Sequence, residues 1–435
     1  MCESGLWRAP RERIVIDMFA GEEKLRRHAG ASIEMQVEEV VPGIVCFRNF
    51  GSSNAVLIKG AKEAVMIDAL ESDGYAQLAQ AYVDRPVKTL IYTHTHADHT
   101  GGAAVLGQDA EAIIAHTAQG SQPLGKLEML KASNQQRMAR QLGVGLTPEE
   151  VICLGIGPLM PAKGSPQPLA PTLLNDKEQY TLHGADRKMV LIAAPGETDD
   201  QQYVWLPEER ILCCGDNFYA SFPNLYTIRG SQYRDVSKWV DSLDKLLALE
   251  PEIMVPGHGD IVRGQAQIRE IIGAYREAIA YVLEGTLQRM NQGLSLQRIV
   301  DEVKLPAHLA EKPFLQEFYG TVEWSVRGIY TGYYGWFDGN AVRLGSLPEA
   351  IRAQKYVELA GGAEAMLAAA RKAHEAGDYQ WSAELCDHLL CAQIEDEAIR
   401  RLQADNFTLL GRMQTSANGR HYYLKSAQEI LDGLD

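Results

Sequence analysis

The chain has 435 residues, 46% hydrophobic and 23% charged, the composition of a globular protein with room for two or three domains and a sizeable core. Its formal net charge of −15 argues against nucleic acid or an anionic membrane as a partner, since both are recognised by basic surface. Seven cysteines, scattered and without a CxxC pair, exclude a disulfide framework and a zinc knuckle. With a charged N-terminus that has no apolar signal core, they lead us to expect a soluble, cytoplasmic protein.

Residues 1–35 are charged and weakly patterned and read as an N-terminal arm. Short apolar runs follow, VEEVVPGIVCFRNF, NAVLIKG and EAVMIDAL, with turn residues between them, and these are predicted strands. GYAQLAQAYVDR has helical spacing, and VKTLIYTH is a compact apolar run of the kind found in a strand buried on both faces. A further helix is expected after Gly101 and Gly102, then EAIIAHT as a strand. The segment from about 120 to 171, rich in Gly and Pro, is expected to be an irregular insertion facing the substrate. Four runs, KMVLIAAPGE, QQYVWL, RILCCGDN and EIMVPGHGD, restore the strand pattern. After about Arg263 the chain becomes helical, with small and apolar residues at three and four spacing in the tail and Gly-Asp breaks between the runs. The expected organisation is an arm over 1–35, an α/β domain over 36–272 and an all-α domain over 273–435.

The chemistry is concentrated at THTHADHTGG, directly after VKTLIY. His94, His96, Asp98 and His99 form H-x-H-x-D-H on the turn leaving a strand. Imidazole and carboxylate suit Zn, Mn or Fe, and alternate residues of such a turn can serve two neighbouring ions, His94 and His96 the first, Asp98 and His99 the second. Glu197, Asp216 and His258 stand at the ends of later apolar runs. Each taken alone reads equally well as a turn residue. Together with the first cluster they make seven candidate ligands, a number that fits two ions bridged by Asp216, with His94, His96 and Glu197 on one and Asp98, His99 and His258 on the other.

The H-x-H-x-D-H stretch, the later acidic bridge at Asp216 and the Gly-His at His258 resemble the metallo-β-lactamase superfamily, which implies an αββα sandwich. In that pattern Asp68, at the end of AVMIDAL, supports the ligands from behind. Three more stretches, NLYTIRGSQYRD, EFYGTVEWSVRGIYTGYYGWFDGN and the tail with GDYQWSAELCDHLL and AIRRLQADNFTLLG, resemble the alkylsulfatase family within the superfamily, from about Glu38 onward. That resemblance makes the tail a dimerisation domain and implies a homodimer. It makes Glu197 a zinc ligand and puts Asn224 and Arg229 on the sulfate group of a small-molecule sulfate ester. The implied reaction is hydrolysis of an organic sulfate by water activated between two Zn2+ ions, with Asp98 orienting that water or taking its proton. The ligands themselves do not choose between attack on carbon and on sulfur; the resemblance implies inversion at carbon.

The sequence also differs from the family pattern. Asp216 replaces a glutamate, Glu197-Thr198 reverses the usual Thr-Glu order, Ala220 to Pro223 replace histidines, and Trp324-Ser325 replace His-Asn. Many relatives continue into a lipid-carrier-like domain; the sequence, ending at Asp435 after the helical tail, is expected to lack one, so a smaller or more polar ester is the expected substrate. Arg229 also reads as a plain ion-pair partner of Asp235, and Arg234 reads as structural. The aromatic run IYTGYYGWF fits either a pocket lining or core. Two other functions stay open: a hydrolase of a phosphodiester, lactone or thioester on the same fold, and a non-enzymatic, metal-stabilised dimeric binding protein.

Overall fold

The computed structural model describes residues 19–30, 34–117 and 127–434. Most of the arm expected over 1–35 lies outside the described residues; within it, Ala20–Ala29 form a helix with Leu25 fully buried. By packing, the chain divides into two compact units. The larger comprises Ala29–Met138 and Ile152–Leu344, the smaller the described residues up to His28, Ala139–Val151 and Gly345 onward.

The larger unit holds two sheets. The first has seven strands in chain order: β1 (Gln36–Val41), β2 (Ile44–Arg48), β3 (Ala55–Lys59), β4 (Ala64–Ile67), β5 (Val87–Ile91), β6 (Ala112–His116) and β7 (Leu173–Asn175). It is antiparallel from β1 to β4 and parallel from β4 to β7. The second comprises β8 (Gln179–Gly184), β9 (Arg187–Ala193), β10 (Gln202–Leu206), β11 (Ile211–Gly215), β12 (Ile253–Pro256) and β13 (Val262–Arg263), in the order β13-β12-β11-β10-β9-β8.

Side chains alternate across each strand, and the alternation sorts them into layers. Val56, Ile58, Val65 and Ile67 of the first sheet meet Leu191, Val204, Ile211 and Cys213 of the second in one dry core. Leu57 and Met66 turn the other way, onto Tyr75, Ala76 and Ala79 of the helix Asp73–Gln80. On the far side of the second sheet, Tyr203, Trp205, Leu212 and Cys214 pack on Val236, Trp239 and Leu243 of the helix Val236–Leu249 and on Ile272, Tyr275 and Ile279 of Gln265–Asn291. The result is the αββα sandwich. Because both faces of the central strands are covered, those strands read as largely continuous apolar runs rather than alternating ones, unlike the edge strands β1 and β8.

The same outer layer takes in Ile299, Val300, Val326 and Ile329, from the helices Leu296–Glu302 and Val322–Tyr334, so this core extends well beyond residue 272. The insertion expected to be irregular contains a 12-residue helix, Lys131–Leu142, after a 3-10 turn at Leu127–Leu130. In the aromatic run, Ile329 and Tyr330 are core, whereas Tyr333, Tyr334 and Trp336 are exposed.

In the smaller unit, the helices Glu349–Leu359, Ala363–Glu375, Tyr379–Cys391, Glu397–Met413 and Ala417–Asp432 pack as successive hairpins, with Val357, Met366, Ala370, Leu385, Leu389 and Ile399 inside the first four. The Gly-Asp break read from the sequence is a cap: Asp378 accepts the Trp381 N–H, as Asp396 does for Ala398 and Ser416 for Gly419. The described cysteines are free, and among the described residues no helix is long and apolar enough to cross a membrane.

Candidate metal centre

The centre is built from strand ends. β4 and β5 are parallel neighbours in the register Ile67 to Ile91, so the residues just beyond each strand, Asp68 and Thr93, come together. Asp68 adopts φ 58° and uses both oxygens, accepting from Thr93 N–H (2.7 Å), Thr93 Oγ1–H (2.8 Å) and His99 Nδ1 (2.8 Å). The chain then turns through His94 and His96 into a short helix, Ala97–Thr100, that carries Asp98 and His99. β11 and β12, also parallel, pair Gly215 with Pro256 and thereby set Asp216 beside His258. Two glycines make this approach possible. Gly215 sits at φ 53°, where a Cβ would run into Gln201 Nε2, and a Cβ on Gly257 would run into Asp216 Oδ1.

Six of the seven candidate ligands converge. Ligand atoms of Asp98, His99, Asp216 and His258 lie within 4.8 Å of one another, as do those of His94, His96 and Asp216, so the two groups share the Asp216 carboxylate. His99 Nε2 is 3.2 Å from Asp216 Oδ1 and 3.4 Å from Asp98 Oδ2; His258 Nε2 is 3.2 Å from Asp216 Oδ2 and 3.4 Å from Asp98 Oδ2. His94 Nε2 stands 3.6 Å from Asp216 Oδ2 and 3.0 Å from His96 Nδ1. The other nitrogens are held from behind: His99 Nδ1 by Asp68, His258 Nδ1 by the Ser52 carbonyl at 2.7 Å, and His94 Nδ1 by Thr93 Oγ1 at 3.1 Å. A ring fixed through Nδ1 aims its Nε2 lone pair inward, the arrangement that metal-binding histidines use.

The electrostatics divide the histidines. Burial drives all four toward neutrality, and for His94 and His96 it prevails, aided by neighbouring imidazoles, so both lie below the usual range. For His99 and His258 the carboxylates of Asp216 and Asp98 outweigh burial, holding His99 well above its ordinary value and His258 at about 9. Burial likewise opposes the Asp216 charge, but His258, His99 and His94 overcome it and keep the carboxyl well below the usual range. In this buried nest, His99 Nε2 and Asp216 Oδ1 have no hydrogen-bond partner among the described residues. Inward-facing lone pairs, orphaned buried atoms and a shared carboxylate fit a pair of divalent cations.

Glu197, the seventh candidate, is buried beside this nest and belongs to neither group. Its Oε1 is held by Arg234 Nη1 at 2.8 Å, while its Oε2 has no hydrogen-bond partner among the described residues. Burial and the Asp216 charge raise its carboxyl to about 7 against the pull of Arg234. Arg234, read from sequence as structural, is thus the partner of a candidate ligand, and its Nη1 also donates to the Asn224 carbonyl at 2.5 Å. The signal that could have found it is its place five residues after Arg229 in the same loop. Asn224 is 1% exposed, donates its N–H to Tyr219 Oη at 2.7 Å and leaves Oδ1 without a hydrogen-bond partner among the described residues. Arg229 is half-buried, within electrostatic reach of Arg234, Tyr319, Glu197 and Asp98. Burial and the like charge of Arg234 lower its pKa from the ordinary arginine value.

Comparison with known proteins agrees with this geometry. The family model of the metallo-β-lactamase superfamily matches residues 48–258, and that of alkyl sulfatase dimerisation matches 295–433. A linear primary-alkylsulfatase of Pseudomonas sp. (strain ATCC 19151) is 34% identical over 394 residues, which are 87% of this chain and 74% of that one. An alkyl/aryl-sulfatase of Saccharomyces cerevisiae and an (R)-specific secondary-alkylsulfatase of Pseudomonas sp. are each 30% identical over 91% of this chain, which spans 64% and 62% of their lengths, less than two thirds. Among solved structures, the stereoselective inverting sec-alkylsulfatase Pisa1 from Pseudomonas sp. superposes with a TM-score of 0.87 at 26% identity, covering 95% of this chain and 68% of that one. The chain belongs to the alkylsulfatase family of the metallo-β-lactamase superfamily, a family of sulfuric ester hydrolases.

Proposed function

We propose that the protein is a binuclear zinc hydrolase that cleaves an alkyl-type sulfate monoester to an alcohol and inorganic sulfate. The observation that carries this reading is the Asp216 carboxylate shared between two groups of buried ligand atoms, in a chain whose relatives include primary and secondary alkylsulfatases. His94, His96 and Asp216, together with the unpartnered Oε2 of Glu197, are assigned to one ion, and Asp98, His99, Asp216 and His258 to the other. The imidazole-rich set suits Zn2+ first, with Mn2+ or Fe as alternatives. Bound there, the ions would supply Lewis acidity and a water whose pKa falls toward neutral.

The residues supply the rest. Asp98 has a side chain 31% exposed, against 3% for Asp216, so it is the carboxylate open to solvent, and we assign it to orient the attacking water or accept its proton. Asn224 and Arg229 are assigned to the sulfate group. The Arg229 guanidinium offers a planar donor fork to two of its oxygens and offsets the charge it gains as the ester bond breaks. With attack at carbon, the water oxygen bonds to carbon and sulfate departs with the electron pair of the C–O bond. The dimerisation match and the exposed apolar side chains Ile351, Tyr356, Leu359 and Trp381 support a homodimer through the helical domain.

The test is free sulfate, followed by ion chromatography, from zinc-loaded protein given short and long alkyl sulfates and aryl sulfates, with phosphodiester and lactone controls and His96→Ala as the blank. Release that vanishes in the variant is expected, and light scattering of the same preparation should give twice the chain mass. No sulfate from any ester, with both metals shown bound, would sink the sulfatase reading in favour of another ester.

A further inference from the structure

We infer that Arg137 is a positioning residue for Arg229, clamping the turn that presents it; the inference rests on the function proposed above. Arg137 lies in the helix Lys131–Leu142, outside the stretches that carry the metal ligands. Its Nε donates to the Arg229 carbonyl and its Nη2 to the Ile228 carbonyl at 2.9 Å, so one guanidinium holds two successive carbonyls. The turn is closed by Gly230 N–H donating to Thr227 O at 2.9 Å. Gly230 takes φ 93°, a conformation that side-chain-bearing residues rarely adopt, so the glycine permits the turn.

The two residues assigned to sulfate are therefore each set through their main chain. Asn224 is fixed by Arg234 on its carbonyl and by Tyr219 on its N–H; Arg229 is fixed by Arg137. The Arg229 side chain also donates from Nη1 to the Gly230 carbonyl at 3.3 Å, within the same turn, so the turn that Arg137 holds bears on the guanidinium as well. A fork that must meet a tetrahedral oxyanion is sensitive to such placement, since a misplacement of about 1 Å can cost on the order of 10²-fold. A lysine at 137 keeps the charge but lacks the planar fork that spans two carbonyls.

Three measurements on the zinc-loaded full chain test the clamp: ester kinetics, calorimetric binding of inorganic sulfate, and hydrogen exchange at the Gly230 amide. In Arg137→Ala, KM and the sulfate dissociation constant should each rise about tenfold. kcat should change by less, metal content should stay at the wild-type level, and Gly230 should exchange faster. Arg137→Lys should lie between the two, and it carries the test if the alanine variant does not fold. A helix staple with no tie to the anion site would lower melting temperature in both variants and leave sulfate affinity and Gly230 protection as in the wild type, which would overturn the inference. A wild-type protein that binds sulfate, with weakening at Arg137→Ala, but hydrolyses no sulfate ester would refute the proposed reaction and leave the clamp standing. A wild-type protein that binds no sulfate would overturn both.

Discussion

His99 in the larger unit and His421 in the smaller are both fully buried, and their surroundings are opposite. Both ring nitrogens of His421 face backbone carbonyls, Gln141 O at 3.1 Å and Val151 O at 3.0 Å. His99 is fixed on one side only, and its Nε2 faces Asp216 and Asp98 without a hydrogen-bond partner among the described residues. The same contrast holds more widely. Among the described residues, the one buried side-chain atom the smaller unit leaves unpartnered is Gln403 Oε1, whereas around the metal centre His99, Glu197, Asp216 and Asn224 each leave one. Buried polar groups are normally satisfied because an unmet one costs about 1–3 kcal/mol, so a cluster of exceptions marks where something else is to bind. In one unit the buried polar groups satisfy one another and hold helices together; in the other a cluster of them around the candidate metal centre is left unmet among the described residues.

If the contrast is sound, the largest effect comes from the shared carboxylate. Asp216→Asn keeps the volume and removes the charge that joins the two groups. Zinc per chain, read by mass spectrometry, should fall below one, and kcat/KM should drop on the order of 10⁴-fold, the scale seen when a central catalytic group is lost. Two zinc ions retained at full affinity would break the comparison. A smaller effect is expected at Asp68→Asn. The amide NH2 accepts nothing: at the Oδ2 position it meets the donors Thr93 Oγ1–H and His99 Nδ1, and at the Oδ1 position it meets the Thr93 N–H, so either way the brace behind His99 is broken. Chelator competition should show zinc affinity lower by about 10–100-fold with the fold intact.

The sequence carried more of the centre than of its support. His94, His96, Asp98 and His99 were legible because they crowd onto the turn after an apolar strand, and Asp216 and His258 because each ends a similar run. The pairing of Arg234 with Glu197 was not, because it joins two loops 37 residues apart through tertiary contact alone. The clamp of Arg137 on residues 228 and 229 escaped for the same reason, and the helix that bears it hid in a segment whose flanking Gly and Pro suggested irregular chain. The sandwich was readable from β3, β5, β9, β10, β11 and β12, which are mostly apolar, with polar residues such as Lys59, Lys88 and Arg187 near their ends. β8 was not, since its burial alternates and Gln179, Thr181 and His183 face solvent. The helix Ala20–Ala29 was missed because its anchor lies near the other end of the chain.

That anchor gives the smallest and most different effect. Glu22 takes Arg26 on one oxygen, at 2.9 Å from Nη2, and Arg412 and Arg420 on the other, at 3.1 and 3.0 Å. Burial would raise its carboxyl, but the arginines prevail and hold it below its ordinary value of 4.5. A folded-state pKa lower than the unfolded one means that the stabilisation is complete above the unfolded value and is lost as the pH falls through the folded one. Glu22→Gln should therefore cost about 1–2 kcal/mol at pH 7 in urea unfolding, a modest figure because the carboxylate is not sealed from water. The gap to the wild type should close as the pH is lowered through the carboxylate range. Zinc content and ester turnover should be unchanged. A fall in metal binding in this variant would show that the polar groups of the helical unit serve the centre as well as their own fold, and the division drawn between His421 and His99 would fail.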